Sequence, residues 1–197
     1  MVEAVHEVAH EATHEAAHSG TSFGKKIGLL ISVLALVLAV SEMLGKSAQT
    51  RALALNIEAS NTWNFFQAKT MRQTALRTAA ESMKVQNPQP SSEIAKQLQT
   101  WQATIERWES EPSTNEGRKE LMVKARATEK LRDVNFEQYH GYEIASLVVQ
   151  LGIVLASVAL LSSVMMFAFG AGALGGLGLL VLLDTYFGWH IVSHFLH

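Results

Sequence analysis

Hydrophobic and polar positions are spread very unevenly along this chain. From Ile144 to Leu183 there is no Asp, Glu, Lys, Arg or His, and a second uncharged apolar run extends from Ile27 to Ser41. A spanning helix needs roughly 20 apolar residues to cross about 30 Å of hydrocarbon. The longer run, roughly 40 residues, has the length of two spans, and the shorter run that of one. Between them lies a polar stretch rich in Ala, Gln, Glu, Lys, Arg and Thr, which suit helix, and it has no alternating strand pattern. The pattern therefore predicts an all-α protein: three transmembrane helices, with a long projecting antiparallel helical hairpin between spans one and two.

The expected segments are a His/Glu/Ala-rich N-terminal helix or tail over 1–22 and a first span over 23–45. A soluble hairpin over 46–142 follows, then spans over 143–168 and 169–192 and a tail over 193–197. All three prolines fall in two short breaks, at Pro88 and Pro90 and at Pro112. Proline does not continue a helix interior, so the hairpin divides into helices over 46–86, 93–110 and 114–142. Ser92 reads as an N-cap, and Ser113-Thr114-Asn115-Glu116 as a capping box. At 1.5 Å per residue the outgoing helix reaches about 60 Å and the two returning helices together about 65 Å, which matches a hairpin.

The middle helix has the clearest stripe. Ile94, Leu98, Trp101, Ile105 and Trp108 follow 4-3-4-3 spacing, a coiled-coil-like seam that packs against the other rods or meets another protein. The third helix carries Val123, Ala127, Leu131 and Val134. The first carries Leu53, Ile57, Trp63, Phe66 and Leu76 less regularly. So thin a hairpin buries little by itself, and packing against copies of itself or a partner is expected.

The segment Trp63-Asn64-Phe65-Phe66-Gln67-Ala68-Lys69-Thr70-Met71-Arg72, the His/Glu/Ala-rich start, the early span and the apolar C-terminal pair resemble DUF4337, a bacterial family of unknown function. The resemblance extends over nearly the whole chain. It implies a bacterial membrane protein with no assigned reaction, and no catalytic residue is carried over.

Composition narrows the chemistry. The chain has 197 residues, a formal net charge of −2 and no cysteine. The charge gives no reason to expect nucleic acid as a partner. Without cysteine there are no disulfides, no thiol catalysis and no Cys-ligated metal. The acidic, His-rich start does not read as a cleavable signal peptide, so the first apolar run is taken as a retained anchor.

His6, His10, His14 and His18 recur every four residues. They produce three overlapping H-E-x-x-H matches, as any period-four His-Glu repeat must, but a zinc protease also needs a third ligand and a cleft. Metal binding without catalysis is the alternative. His at i and i+4 share a helix face and chelate zinc, nickel or copper. The plain reading is a solvated helix with Glu–His contacts. The Ala/Val side of this tail suits a membrane surface or an oligomer contact, and the imidazoles titrate near neutral pH.

Small residues recur four apart in the spans: Gly28 and Ser32, Ala35 and Ala39, then Gly152, Ala156, Ala159 and Ser163. Gly172 and Gly176 form a G-x-x-x-G, and Gly170 to Gly176 suits the turn between spans two and three. Asp184 precedes Tyr186, Trp189 and His190, which mark an interfacial belt. An interfacial Asp184 meeting water or a nearby His, an inter-subunit pair, and an ion or proton path are the three readings. Glu42 is read as interfacial too. His190, His194 and His197 share one face, where pigment or haem ligation is a remote reading.

Lys46, Arg51, Lys130 and Arg132 on one side outnumber Lys25 and Lys26 on the other, which slightly favours a cytoplasmic hairpin in a multi-pass bacterial inner-membrane protein. The leading expectation is a non-enzymatic homo-oligomeric scaffold or accessory subunit of a membrane complex, with membrane lipid around it and no cofactor. The alternatives are a metal-binding or metal-responsive protein using a divalent transition metal at the His repeat, and a small oligomeric channel lined by Asp184 and Glu42.

Overall fold

The computed structural model describes residues 2–18 and 22–188, and every regular element among them is an α-helix. In chain order these are α1 (Val2–His18), α2 (Ser22–Gln86), α3 (Ser92–Glu109), α4 (Arg118–Ser162) and α5 (Met165–Phe187). Three of them, α2, α4 and α5, are long and apolar enough to cross a membrane. The chain forms two compact units. One comprises residues up to Thr50 and those from Val134 onward. The other is Arg51–Asp133. Both α2 and α4 contribute to each.

In the first unit α2 presents Ile27, Ile31, Leu34 and Leu38 inward at 4-3-4 spacing. Ala145, Val149, Ile153, Ala156 and Ala159 of α4 and Ala171, Val181 and Leu182 of α5 are buried as well. Leu29, Leu36, Met43, Leu151, Leu161, Met166, Phe169 and Leu180 stay exposed. Helix association in lipid rests on close packing rather than on water exclusion, so small residues decide where the backbones approach. A side chain at Gly152 would crowd the Ala171 carbonyl at 3.3 Å, and one at Gly178 would run into Val149. The stripe Gly152, Ala156 and Ala159 thus faces inward as expected.

Three expectations for the spans are corrected. The turn between α4 and α5 is not at Gly170–Gly176 but at Ser163 and Val164, with Ser163 at φ 56°. The second span therefore ends near 162, not 168, and the third begins at Met165, not 169. At this break Ser162 Oγ donates to the Val158 carbonyl at 2.7 Å and accepts at 3.4 Å from the amide of Val164, the N-cap of α5. The glycines lie inside α5. Gly172 and Gly176 face open space, and it is Ala171, Gly175 and Gly178 that are buried. In α2, Ser32 and Ala39 are exposed, while the bulky Ile31, Leu34 and Leu38 face inward.

In the second unit α2 ends before Pro88, where Asn87 bonds the Met83 carbonyl through both its backbone and its side-chain nitrogen. Ser91, one residue before the expected Ser92, caps α3, and its hydroxyl accepts from the Ile94 amide at 3.4 Å. The expected capping box at 113–116 does not form. Residues 112–115 are a turn with Asn115 at φ 56°, and α4 starts at Arg118 rather than at 114.

Of the α3 stripe, Ile105 is buried and Ile94, Leu98, Trp101 and Trp108 are half-buried. The stripe expected on the third helix lies on the outside: Val123 is 65% and Leu131 56% exposed, and Ala127 and Val134 are exposed too. Leu53 and Ile57 are likewise 51% and 61% exposed. The buried positions of this unit are Ala52, Ala59, Thr62, Lys69, Gln73, Ala80, Ile105, Gly117, Leu121, Ala125 and Thr128. Apart from Ile105 and Leu121, they are small or polar.

Candidate functional site: a polar clasp in the second unit

A seam of Ala and Thr supplies little apolar area, so charged side chains close the second unit. The α3–α4 loop is tied to α2 at two points. Lys69, buried on α2, donates to the Glu116 carbonyl, and its ammonium lies 4.0 Å from the Glu111 carboxylate and 5.4 Å from the centre of the Phe65 ring. Arg118, in the first turn of α4, donates from Nε to Thr70 Oγ1 at 2.9 Å. From Nη1 it donates to Gln73 Oε1 at 2.8 Å and Glu109 Oε2 at 2.7 Å. Its guanidinium also lies 5.2 Å from the Phe66 ring centre. A planar guanidinium holds its donors in a fixed fork, so Nε and Nη1 reach acceptors in different directions at once, whereas an ammonium offers its donors from a single nitrogen.

Gln73 completes the arrangement. Its side-chain nitrogen donates to the Ile105 carbonyl at 3.0 Å and to Glu109 Oε2 at 3.1 Å. Glu120 closes the loop from the other side, accepting from Ser110 Oγ at 2.6 Å and from the Glu111 amide at 3.1 Å. Gly117 is required beside it, since a side chain there would meet the Glu120 carboxylate and the backbone of Glu111 and Ser110. Nearby, Trp63 Nε1 donates to Glu129 at 2.9 Å, and Trp63 packs edge-on against Phe66 at 5.4 Å.

The hydrogen bond from Gln73 holds the Glu109 carboxyl below its ordinary value near 4.5, the Arg118 charge adds to this, and burial opposes it. The Ser110 hydroxyl does the same for Glu120, again against the effect of burial. A carboxyl whose pKa is lower in the folded chain stabilises it fully above the unfolded value and loses that contribution as pH falls through the folded one. Amide exchange over residues 105–121 is therefore expected to keep its protection near neutral pH and to lose part of it as pH falls through and below the ordinary carboxylate range.

Trp63, Phe65, Phe66, Lys69 and Thr70, all within the segment that carries the family resemblance, make these contacts. Sequence reasoning missed Gln73, Glu109, Arg118 and Glu120. The available signal was Lys69 and Gln73 one helical turn apart on a face that also carries Thr62 and Ala80.

The residues singled out from sequence are not brought into one site. His10 and His14 are exposed on α1, and their rings are 6.4 Å apart. The side chains of His6 and His18, and all of His190, lie outside the described residues. No group of three or more His, Cys, Asp or Glu able to hold a metal forms among the described residues. Asp184 is buried in α5, and its carbonyl accepts from the amide of Gly188, which ends the helix at φ 64°. Glu42 is half-buried on α2.

The architecture defines a class: an all-α protein with five described helices, three of which are candidate membrane spans. Residues 23–188 match the domain of unknown function DUF4337, and the chain belongs to that family. No curated protein and no solved structure gives a significant match to it.

Proposed function

We propose that this chain is a non-enzymatic integral membrane protein that acts as a homo-oligomeric scaffold or as an accessory subunit of a larger membrane complex. Its three spans lie in lipid, and the segment between the first two projects as an antiparallel hairpin. The observation that carries this reading is where the large apolar side chains lie. Leu53, Ile57, Met71, Val85, Val123 and Leu131 of the second unit are exposed, while its seam is closed by small residues and the Lys69–Arg118 clasp. Leu53 and Ile57, one helical turn apart on α2, lie on one face of it, and exposed large apolar side chains of this kind support an interaction face. The clasp supports a structural rather than a reactive role, because its charged groups are bonded to one another and to backbone.

The balance of basic residues favours a cytoplasmic hairpin in a bacterial inner membrane. The experiment is light scattering on the full chain in mild detergent. A protein mass that is a multiple of 21.6 kDa, or a stable complex with another subunit, is expected. A monodisperse monomer overturns the reading.

A further inference from the structure

The N-terminal helix sets a polar face beside an apolar belt. Val5, Ala9 and Ala12 of α1 belong to the same apolar cluster as Ile27, Ile31, Leu34 and Val149, with Ala9 and Ala12 buried. Only residues 19–21 separate α1 from α2. To reach that cluster, α1 must turn back along the first span, and Ala9 then lies about 13 Å along the helix axis from His18. At 100° per residue, Glu7, His10, Glu11 and His14 fall within an arc of about 100°, roughly opposite Val5, Ala9 and Ala12. All four are exposed, and the adjoining span exposes Leu29, Val33 and Leu36.

Hydrocarbon does not suit this face. A carboxylate near the bilayer centre costs about 3 kcal/mol on insertion scales. A second copy presenting the same face would cover it, but that brings four carboxylates together and calls for a cation between them. The imidazoles of His10 and His14 have the i, i+4 spacing of a chelating pair, with ring centres 6.4 Å apart and planes inclined by 33°. Two imidazoles fill half of a tetrahedral coordination shell. The other half must come from elsewhere, since the described residues gather no third ligand around this pair.

We propose that a divalent transition metal of the zinc type bridges two copies of this chain, ligated by His10 and His14 of each, its charge offsetting part of the negative charge of Glu7 and Glu11. The inference rests on the oligomeric reading above and adds the chemistry of one contact within the assembly. Imidazole is a preferred ligand for zinc, copper and nickel, and the bridge is closed without any cysteine.

The test uses the full chain in mild detergent, stripped with chelator and titrated with zinc alone while mass and bound metal are read together. Uptake of about one ion per two chains is expected, with a gain in dimer or higher assembly. The H10A/H14A variant, whose exposed helical positions tolerate alanine, is expected to weaken uptake by at least about tenfold. Zinc bound at one ion per chain with unchanged mass overturns the bridge. So does uptake that survives H10A/H14A. An assembly that persists in chelator and takes up no zinc overturns the bridge and leaves the oligomeric reading standing. A monomer under every condition overturns both.

Discussion

Replacing Arg118 with methionine is expected to destabilise the second unit by about 2–3 kcal/mol, the range for losing hydrogen bonds to a charged group. Methionine keeps the length and the helix propensity but none of the donors. Thr70 Oγ1, Gln73 Oε1 and Glu109 Oε2 each lose the partner that Arg118 supplies. Gln73 is buried, so its oxygen regains no water. The side chains of Arg118 and Glu109 are 25% and 38% exposed, which keeps the loss below that of a fully buried pair. The measurement is amide exchange by mass spectrometry on the full chain in detergent, with faster exchange expected in α3 and residues 110–121 and little change in the spans. Arg118→Lys is expected to recover only part of the loss, because one ammonium does not reach all three acceptors. Pairing R118M with Glu109→Gln should give a coupling of about 0.5–3 kcal/mol. Unchanged exchange in R118M removes the clasp from the stability of this unit.

The second large effect is expected in the spans. Gly178→Leu places a side chain where Val149 and the Ala145 carbonyl, 3.3 Å away, already stand. Over-packing of this kind costs about 1–3 kcal/mol, and here one side of the contact is backbone that cannot rotate away. A lower Tm in detergent is the readout. Gly176→Leu, two residues away and facing open space, is expected to raise Tm slightly, because leucine is the better helix former by up to about 1 kcal/mol. Equal effects at Gly176 and Gly178 would show that the α4–α5 contact is not where the structure places it.

The clasp places specific chemical demands on the segment 63–72. In a packed apolar core many substitutions of similar volume are tolerated. A buried lysine and a guanidinium with three acceptors are not interchangeable with neighbours of similar size. Thr70, whose hydroxyl accepts from Arg118, and Lys69, which holds the Glu116 carbonyl, each need their own chemistry at their own position. Had aliphatic contacts closed the unit, Val123 and Leu131 would lie in the seam. Instead Ala125 and Thr128 do.

The amino-acid sequence alone determined the local features of this protein. Uncharged runs of spanning length marked the three apolar helices, Pro88, Pro90 and Pro112 marked the interruptions, and the 63–72 segment marked the family. The runs and the interruptions follow from interactions between a residue and its solvent or its own backbone, which need no knowledge of neighbours. Tertiary structure decided which face of each helix turns inward. Hydrophobicity pointed to Val123, Leu131, Leu53 and Ile57, but helices that approach closely admit Ala52, Ala59 and Ala125 and push larger side chains outward. Gly172 and Gly176 looked like a packing motif and the 170s like a turn, whereas Gly178 makes the contact and Ser163 makes the turn. The partners of Arg118 lie nine to 48 positions away in sequence, so no periodicity within one helix announces them.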